Sequence, residues 1–226
     1  MPRVFIAGSI TIKRLPPQVE ARLDNIRSSG LDVLVGDAGG VDHAVQRYFH
    51  QALYPAVTVY CSGDTPRHND GGWPLTTVLP PANAKGRAFH TAKDLAMAAD
   101  CDYGLMIWDC KSPGTLGNVL ELLGRQKKSV VYLKPLEQFR TITSPGDLQW
   151  LVAQMDDTAR QEADRKISLS KKITRLCAPE TSDDIAASLR ARIEEHRLHI
   201  ARHEQSIVEL QTRLAALQPM DELFPD

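Results

Sequence analysis

Residues 36–42 read Gly-Asp-Ala-Gly-Gly-Val-Asp, between the apolar run 31–35 and a helix-like stretch over 43–52. This junction of strand, glycine turn and helix constrains the fold more than any other part of the chain. Glycine permits positive φ and close backbone approach, and the free N–H groups that open the following helix attract anions. A second turn of this kind stands at Ile6-Ala-Gly-Ser9, and a third at Lys111-Ser-Pro-Gly-Thr115, behind the run 103–109. Three such turns, each after a β-like run, point to a phosphate-bearing ligand along one edge of a parallel sheet. Taken singly, each is also an ordinary strand–helix turn.

The rest of the pattern supports that sheet. β-like runs occupy 3–7, 32–35, 56–61, 103–109 and 129–133, alternating with helical stretches at 16–27, 43–53, 86–99 and 113–124. In the first helix Val19, Leu23 and Ile26 share one face; in the second Ala44, Val45, Tyr48 and Phe49 face the sheet. Such alternation implies parallel pairing through right-handed crossovers. The fold expected is α/β, a Rossmann-like parallel sheet flanked by helices, over residues 1–140. Residues 62–85 hold four of the 14 prolines and Gly71-Gly72, and read as a long irregular loop of the lid type.

Residues 141–226 read as a helical extension. Leu148, Leu151, Val152 and Met155 fall at helical spacing, and Pro179 ends that segment. Thr181-Ser-Asp-Asp184 resembles a capping box that opens a long helix over 182–217. In it Ile193, Ile200, Ile207 and Leu214 recur every seven residues, with Leu189, His196, His203, Leu210 and Leu217 on the second seam position. Isoleucine at the first position and leucine at the outer second positions favour a two-stranded coiled coil, hence a homo-oligomer, a dimer or higher. The alternative is a helix folded back on its own domain. Paired across a dimer, His196 and His203 place four imidazoles in the seam, as tolerated polar positions or a pH-sensitive contact.

Composition sets outer bounds. The chain has 226 residues, 42% of them hydrophobic and 24% charged, which suits one packed domain with an appendage. No apolar run approaches the roughly 20 residues needed to cross a bilayer, and the N-terminal residues enter a strand at once, without signal-peptide regions. No membrane partner and a cytoplasmic location are expected. Cys61, Cys101, Cys110 and Cys177 form no CxxC pair, so they read as buried or incidental thiols, with no metal site. A net charge of −1 counts against broad, charge-driven binding, so nucleic acid is not expected as a partner.

The segment Gly36-Asp-Ala-Gly-Gly-Val-Asp42 resembles the G-x-A-x-G-[IV]-D stretch of the DNA-processing (Smf) branch of the SLOG superfamily. Phe89-His90-Thr-Ala-Lys93, followed after a strand by Pro113-Gly-Thr115, resembles the Lonely Guy pattern M-H-x-R-K and P-G-G-x-G-T-x-x-E. The resemblance covers roughly residues 3–134. It implies a Rossmann-like fold, a nucleotide or nucleotide-like ligand over the strand C-termini, and dimers. In the Lonely Guy enzymes the arginine of the first motif and the glutamate of the second act on an N-glycosidic bond. Those positions are Ala92 and Asn118 here, and an amide cannot act as a general base.

The candidate nucleotide-binding residues are Gly8, Ser9, Gly36, Asp37, Gly39, Gly40, Arg87, His90, Lys93, Asp109, Ser112, Gly114, Thr115 and Asn118. Arg87 and Lys93 suit phosphates, and His90 a base or ribose contact. Arg87, His90 and Asp94 lie on one helix face, which also fits an exposed polar face joined by ion pairs. Asp42 is equally explained as a helix cap. Lys111 extends the third turn, and Arg67, His68, Asn69 and Trp73 sit in the proline-rich loop, positioned to close over a base. Trp108 reads as core, and Glu121 as solvated or paired. The function expected is binding of a nucleotide or nucleotide derivative, as a sensor or as a divergent processing enzyme, with no other cofactor. The rival is an N-glycosidase, phosphoribohydrolase or ribosyltransferase using Asp37, Asp42 or Asp94 as catalytic residues; a third is single-stranded DNA binding.

Overall fold

The computed structural model describes residues 1–82, 86–178 and 182–217. Within them the chain divides into two units, Met1–Cys177 and Ala178–Asp226. The expected capping-box residue Thr181, the helix-ending Pro179, Lys85 at the end of the proline-rich loop and the side chain of Leu217 lie outside the described residues.

The first unit is built on the strands β1 (Arg3–Gly8), β2 (Asp32–Gly36), β3 (Val57–Ser62), β4 (Leu75–Val78), β5 (Tyr103–Trp108), β6 (Lys128–Leu133) and β7 (Gln138–Ile142). They form one seven-stranded sheet in the order β4-β3-β2-β1-β5-β6-β7. Every pairing is parallel except that of β7 with β6. This is the α/β Rossmann-like fold. Two strands had no counterpart in the sequence reading. β4 lies inside the proline-rich loop and is only four residues long, with alternating exposure. β7 is an edge strand, largely exposed, so it carries little apolar signal.

The helices of this unit are α1 (Pro17–Ser28), α2 (Val41–Gln51), α3 (Arg87–Asp100), α4 (Pro113–Gly124), α5 (Pro145–Ala153), α6 (Asp157–Ile167) and α7 (Leu169–Cys177). Pro17 fits the first turn of α1, where its missing N–H costs no hydrogen bond. Val19, Leu23 and Ile26 are its buried stripe. Alternate strand residues feed two cores. Val4, Ile6, Val33, Val35 and Ile107 pack with Val19, Leu23, Val45 and Phe49 on one face. Phe5, Leu34, Met106 and Trp108 pack with Met97, Leu116, Leu122 and Leu148 on the other. Thus α1 and α2 cover one face, and α3, α4 and the segment after β7 cover the other. The segment read as one helical stretch after residue 144 is three helices. Ser144 and Asp156 cap the starts of α5 and α6 by accepting from Asp147 N and Ala159 N, and Ser168 at φ +52° ends α6.

Because the crossovers from β1 and from β5 leave on opposite faces, the loops after these two neighbouring strands diverge at their C-terminal ends. That is the topological switch point of an open α/β sheet, where such sheets bind ligands. In the second unit one helix, α8 (Ser182–Leu217), runs for 36 residues. Among the described residues, no helix is long and apolar enough to cross a membrane.

Candidate functional site

The glycines at the strand ends separate into two kinds. A Cβ on Gly8 would stand 2.3 Å from the Ile107 carbonyl oxygen and 2.7 Å from Val41. Gly40 has φ +74°, and a Cβ there would lie 2.4 Å from the Ile10 Cα. These two glycines let the loop after β1 nest against the start of α2. Gly39 is different: its nearest neighbour would be Lys13 Nζ at 3.9 Å, and Gly114 has nothing within 4 Å. Gly39 precedes α2 and Gly114 lies in the first turn of α4, and neither helix start carries a side-chain cap. Backbone donors at both starts therefore stand on the two sides of the switch point.

The β1 and β5 loops are tied by a small polar set. Ser9 is buried; its Oγ accepts from Asp109 N at 3.1 Å and lies 3.5 Å from Thr115 Oγ1. The Asp109 carboxylate accepts from Lys111 N, from Ser112 N and Oγ, and from Thr11 Oγ1. Burial pushes the Asp109 carboxyl up, but these donors outweigh it and hold its pKa below the ordinary value. Asp109 thus shapes the turn. Asn118 is buried one helical turn beyond Thr115. Trp108 is core, its Nε1 donating to the Ser112 carbonyl.

Beneath the Gly36 turn lies a buried charge cluster. Lys93 enters from α3, its Nζ 3.0 Å from Asp94, 3.4 Å from Asp42 and 3.9 Å from Asp37. Arg67 closes the other side: its Nε and Nη2 donate to the two Asp37 oxygens at 3.0 and 2.8 Å, and its backbone N adds a third bond. Three carboxylates share two cations; Lys93, Asp37 and Asp42 are buried, while Arg67 is partly open to water. Burial raises the Asp42 pKa to about 6, against the attraction of Lys93 and with the push of Asp94. Burial also raises Asp37, but the Arg67 hydrogen bonds outweigh it and leave that carboxyl below its ordinary value. Lys93 is held above its ordinary value, because Asp94 and Asp42 outweigh the cost of its burial.

The candidates are therefore distributed over distinct environments. Asp37, Asp42, Asp94 and Lys93 come together, but Lys93 faces carboxylates rather than open space. Arg87 and His90 lie exposed at the start of α3, the latter edge-on to Phe89. Gly8, Ser9, Asp109, Ser112 and Thr115 meet at the switch point. In the proline-rich loop Arg67 turns onto Asp37, and Trp73 is buried, with Nε1 donating to the Tyr54 carbonyl. Asn69 binds both backbone groups of Trp73. Glu121 pairs with Arg125 at 2.8 Å. Two cavities of about 400 and 310 Å³ are lined by other residues, among them Arg160 and Arg165 of α6, and Arg14 and Arg47.

The sequence reading missed Gln46. This fully buried amide donates to the carbonyls of Gly36 at 2.9 Å and His68 at 3.2 Å, and accepts from Asp70 N at 3.2 Å. Its one signal was a polar residue between the apolar positions Val45 and Phe49.

No family model and no curated protein matches the chain. It is similar to a solved structure of DNA processing protein A from Helicobacter pylori, reported for its unique single-stranded DNA binding mode. The identity is 17% and the TM-score 0.48, over 75% of this chain and 80% of that one. The expectation that set nucleic acid aside as a partner finds no support in this comparison, whose protein is described by its single-stranded DNA binding. Lys13, Arg14, Arg47, Arg87 and Lys111 lie exposed.

Proposed function

We propose that the C-terminal edge of the sheet binds a nucleotide unit, with phosphate oxygens on the α2 and α4 starts. The observation that carries this reading is the pair of open glycines, Gly39 and Gly114, at uncapped helix N-termini on either side of the switch point. Lys13 beside Gly39 supplies a positive charge. Arg87 and His90, exposed at the start of α3, offer further polar groups to such a ligand. Gly8, Gly36 and Gly40 shape the turns, and Asp37 and Asp42, held by Arg67 and Lys93, fix the β2–α2 turn from below. The SLOG-like motifs agree with such a ligand.

A binding or sensing role is favoured over hydrolysis, because the three aspartates are engaged by cations and Asn118 stands where the resemblance expects a glutamate. The N-glycosidase alternative would need Asp42, whose carboxyl burial holds above its ordinary value, to reach a substrate. We further propose that α8 joins two copies of the chain through its heptad seam.

Calorimetric titration with nucleoside mono- and diphosphates, a dinucleotide and a short single-stranded oligonucleotide tests the reading. Saturable binding to any of them supports it, and the ranking tells a free nucleotide from one within a strand. No binding to any member removes it. Release of free base that is slowed by Asp42→Asn would establish the hydrolytic alternative.

A further inference from the structure

His43, on α2, and His68 and Asp70, in the loop between β3 and β4, bring two imidazoles and a carboxylate together, with one ligand atom of each lying within 4.8 Å of the others. All three are half-buried. His43 Nε2 lies 3.0 Å from Asp70 Oδ2, and the His43 and His68 rings stack with centroids 3.9 Å apart and planes 8° from parallel. We propose that these three side chains form a binding site for a divalent transition metal of the zinc type.

The donor set fits such an ion. Two neutral imidazoles and one carboxylate are borderline ligands that favour zinc, and three protein ligands leave one tetrahedral position open. At metal–ligand distances of about 2.0–2.1 Å, tetrahedral donors sit roughly 3.3 Å apart. The His43–Asp70 pair is already near that separation. His68 completes the set by swinging its ring out of the stack, since parallel imidazoles do not aim their lone pairs at one point.

The backbone beneath the ligands is fixed independently of them. Gln46, one helical turn beyond His43, binds both the His68 carbonyl and Asp70 N, and Arg67, the neighbour of His68, is anchored on Asp37. A hydrogen-bonded support of this kind lets a site bind an ion without first ordering a loop. The ion would fasten the loop to α2 next to the Asp37–Arg67 pair.

Metal-stripped full-length protein titrated with zinc alone, by calorimetry, and with cobalt(II), by visible absorption, tests the proposal. The expected result is one tight equivalent per chain with the bands of four-coordinate cobalt. His68→Ala and the near-isosteric Asp70→Asn should each weaken binding at least ~10-fold, the lower end of what loss of even an outer-sphere partner costs. The double substitution His196→Ala, His203→Ala should leave binding unchanged. Thermal melting of the stripped variants shows that they are folded; Asp70→Asn keeps the test decisive if His68→Ala is not. No tight equivalent in the wild type, binding unaffected by Asp70→Asn, or binding lost with His196 and His203 would each overturn the proposal.

Discussion

A Cβ added to Gly36 would stand 2.2 Å from Lys93 Nζ, so the end of β2 and the buried lysine of α3 occupy adjoining space that no side chain can share. The same Cβ would lie 2.3 Å from Asp42 Oδ2. Glycine is required at position 36 by this cluster of charges, since Gly36 has no positive φ.

Gly36→Ala should therefore be costly, and Gly39→Ala nearly free. The first pushes Lys93 off Asp42 and leaves buried charge poorly paired, a loss on the order of 2–4 kcal/mol. The second meets only the flexible end of Lys13 and should stay within about 0.5 kcal/mol. Denaturant unfolding of both variants checks the contrast; equal stabilities would show that the cluster does not constrain the turn.

The raised pKa of Asp42 sets a pH dependence of definite sign. Its folded value, about 6, exceeds the ordinary 3.8, so the folded state holds this proton more tightly than the unfolded chain. The contribution is fully present below the unfolded value and is lost as pH rises through about 6. Relative to Asp42→Asn, wild-type stability should thus fall by about 3 kcal/mol across that window and stay level above it. Asp37 and Asp109, with lowered values, work in the opposite direction and lose their contribution as pH falls. Unfolding free energies of the two proteins from pH 3 to 8 give the difference directly; a difference that rises with pH would contradict the assignment.

The seam of α8 predicts an assembly. Ile193, Ile200, Ile207 and Leu214 are 51%, 57%, 53% and 64% exposed, and Leu189 and Leu210 likewise lie open. Covering each such side chain is worth roughly 1.5–3 kcal/mol. Ile200→Asp with Ile207→Asp in the full chain should lower the mass seen by sedimentation and leave the first unit folded. An unchanged mass would remove the coiled coil.

The fold was legible in the sequence where the physics is local. Runs such as Val33–Leu34–Val35 must be covered on both faces, and the glycine turns punctuate them, so the parallel sheet followed. β4 and β7 were missed because edge strands need no continuous apolar run. The candidate site was less legible. The residues at its turns could be named from spacing, but their partners could not. Nothing local shows that Lys93 meets Asp42, 51 positions away, or that Arg67 meets Asp37. Lys93 looked open to a phosphate because its pairing across the fold is invisible in a linear reading. The same blindness hid Gln46, whose three bonds all reach distant backbone.

Binding of a nucleoside diphosphate to wild type, Gly39→Glu and Gly114→Glu tests whether phosphate rests on the α2 and α4 starts. Both glycines have room for a side chain, and a carboxylate at a helix start stabilises the helix, so the variants should fold as the wild type does. The wild type should bind, and both variants should lose at least ~10-fold in affinity, by repulsion of phosphate from sites worth about 1.4 kcal/mol or more each. Equal affinity in all three proteins would place the ligand away from these two helix starts.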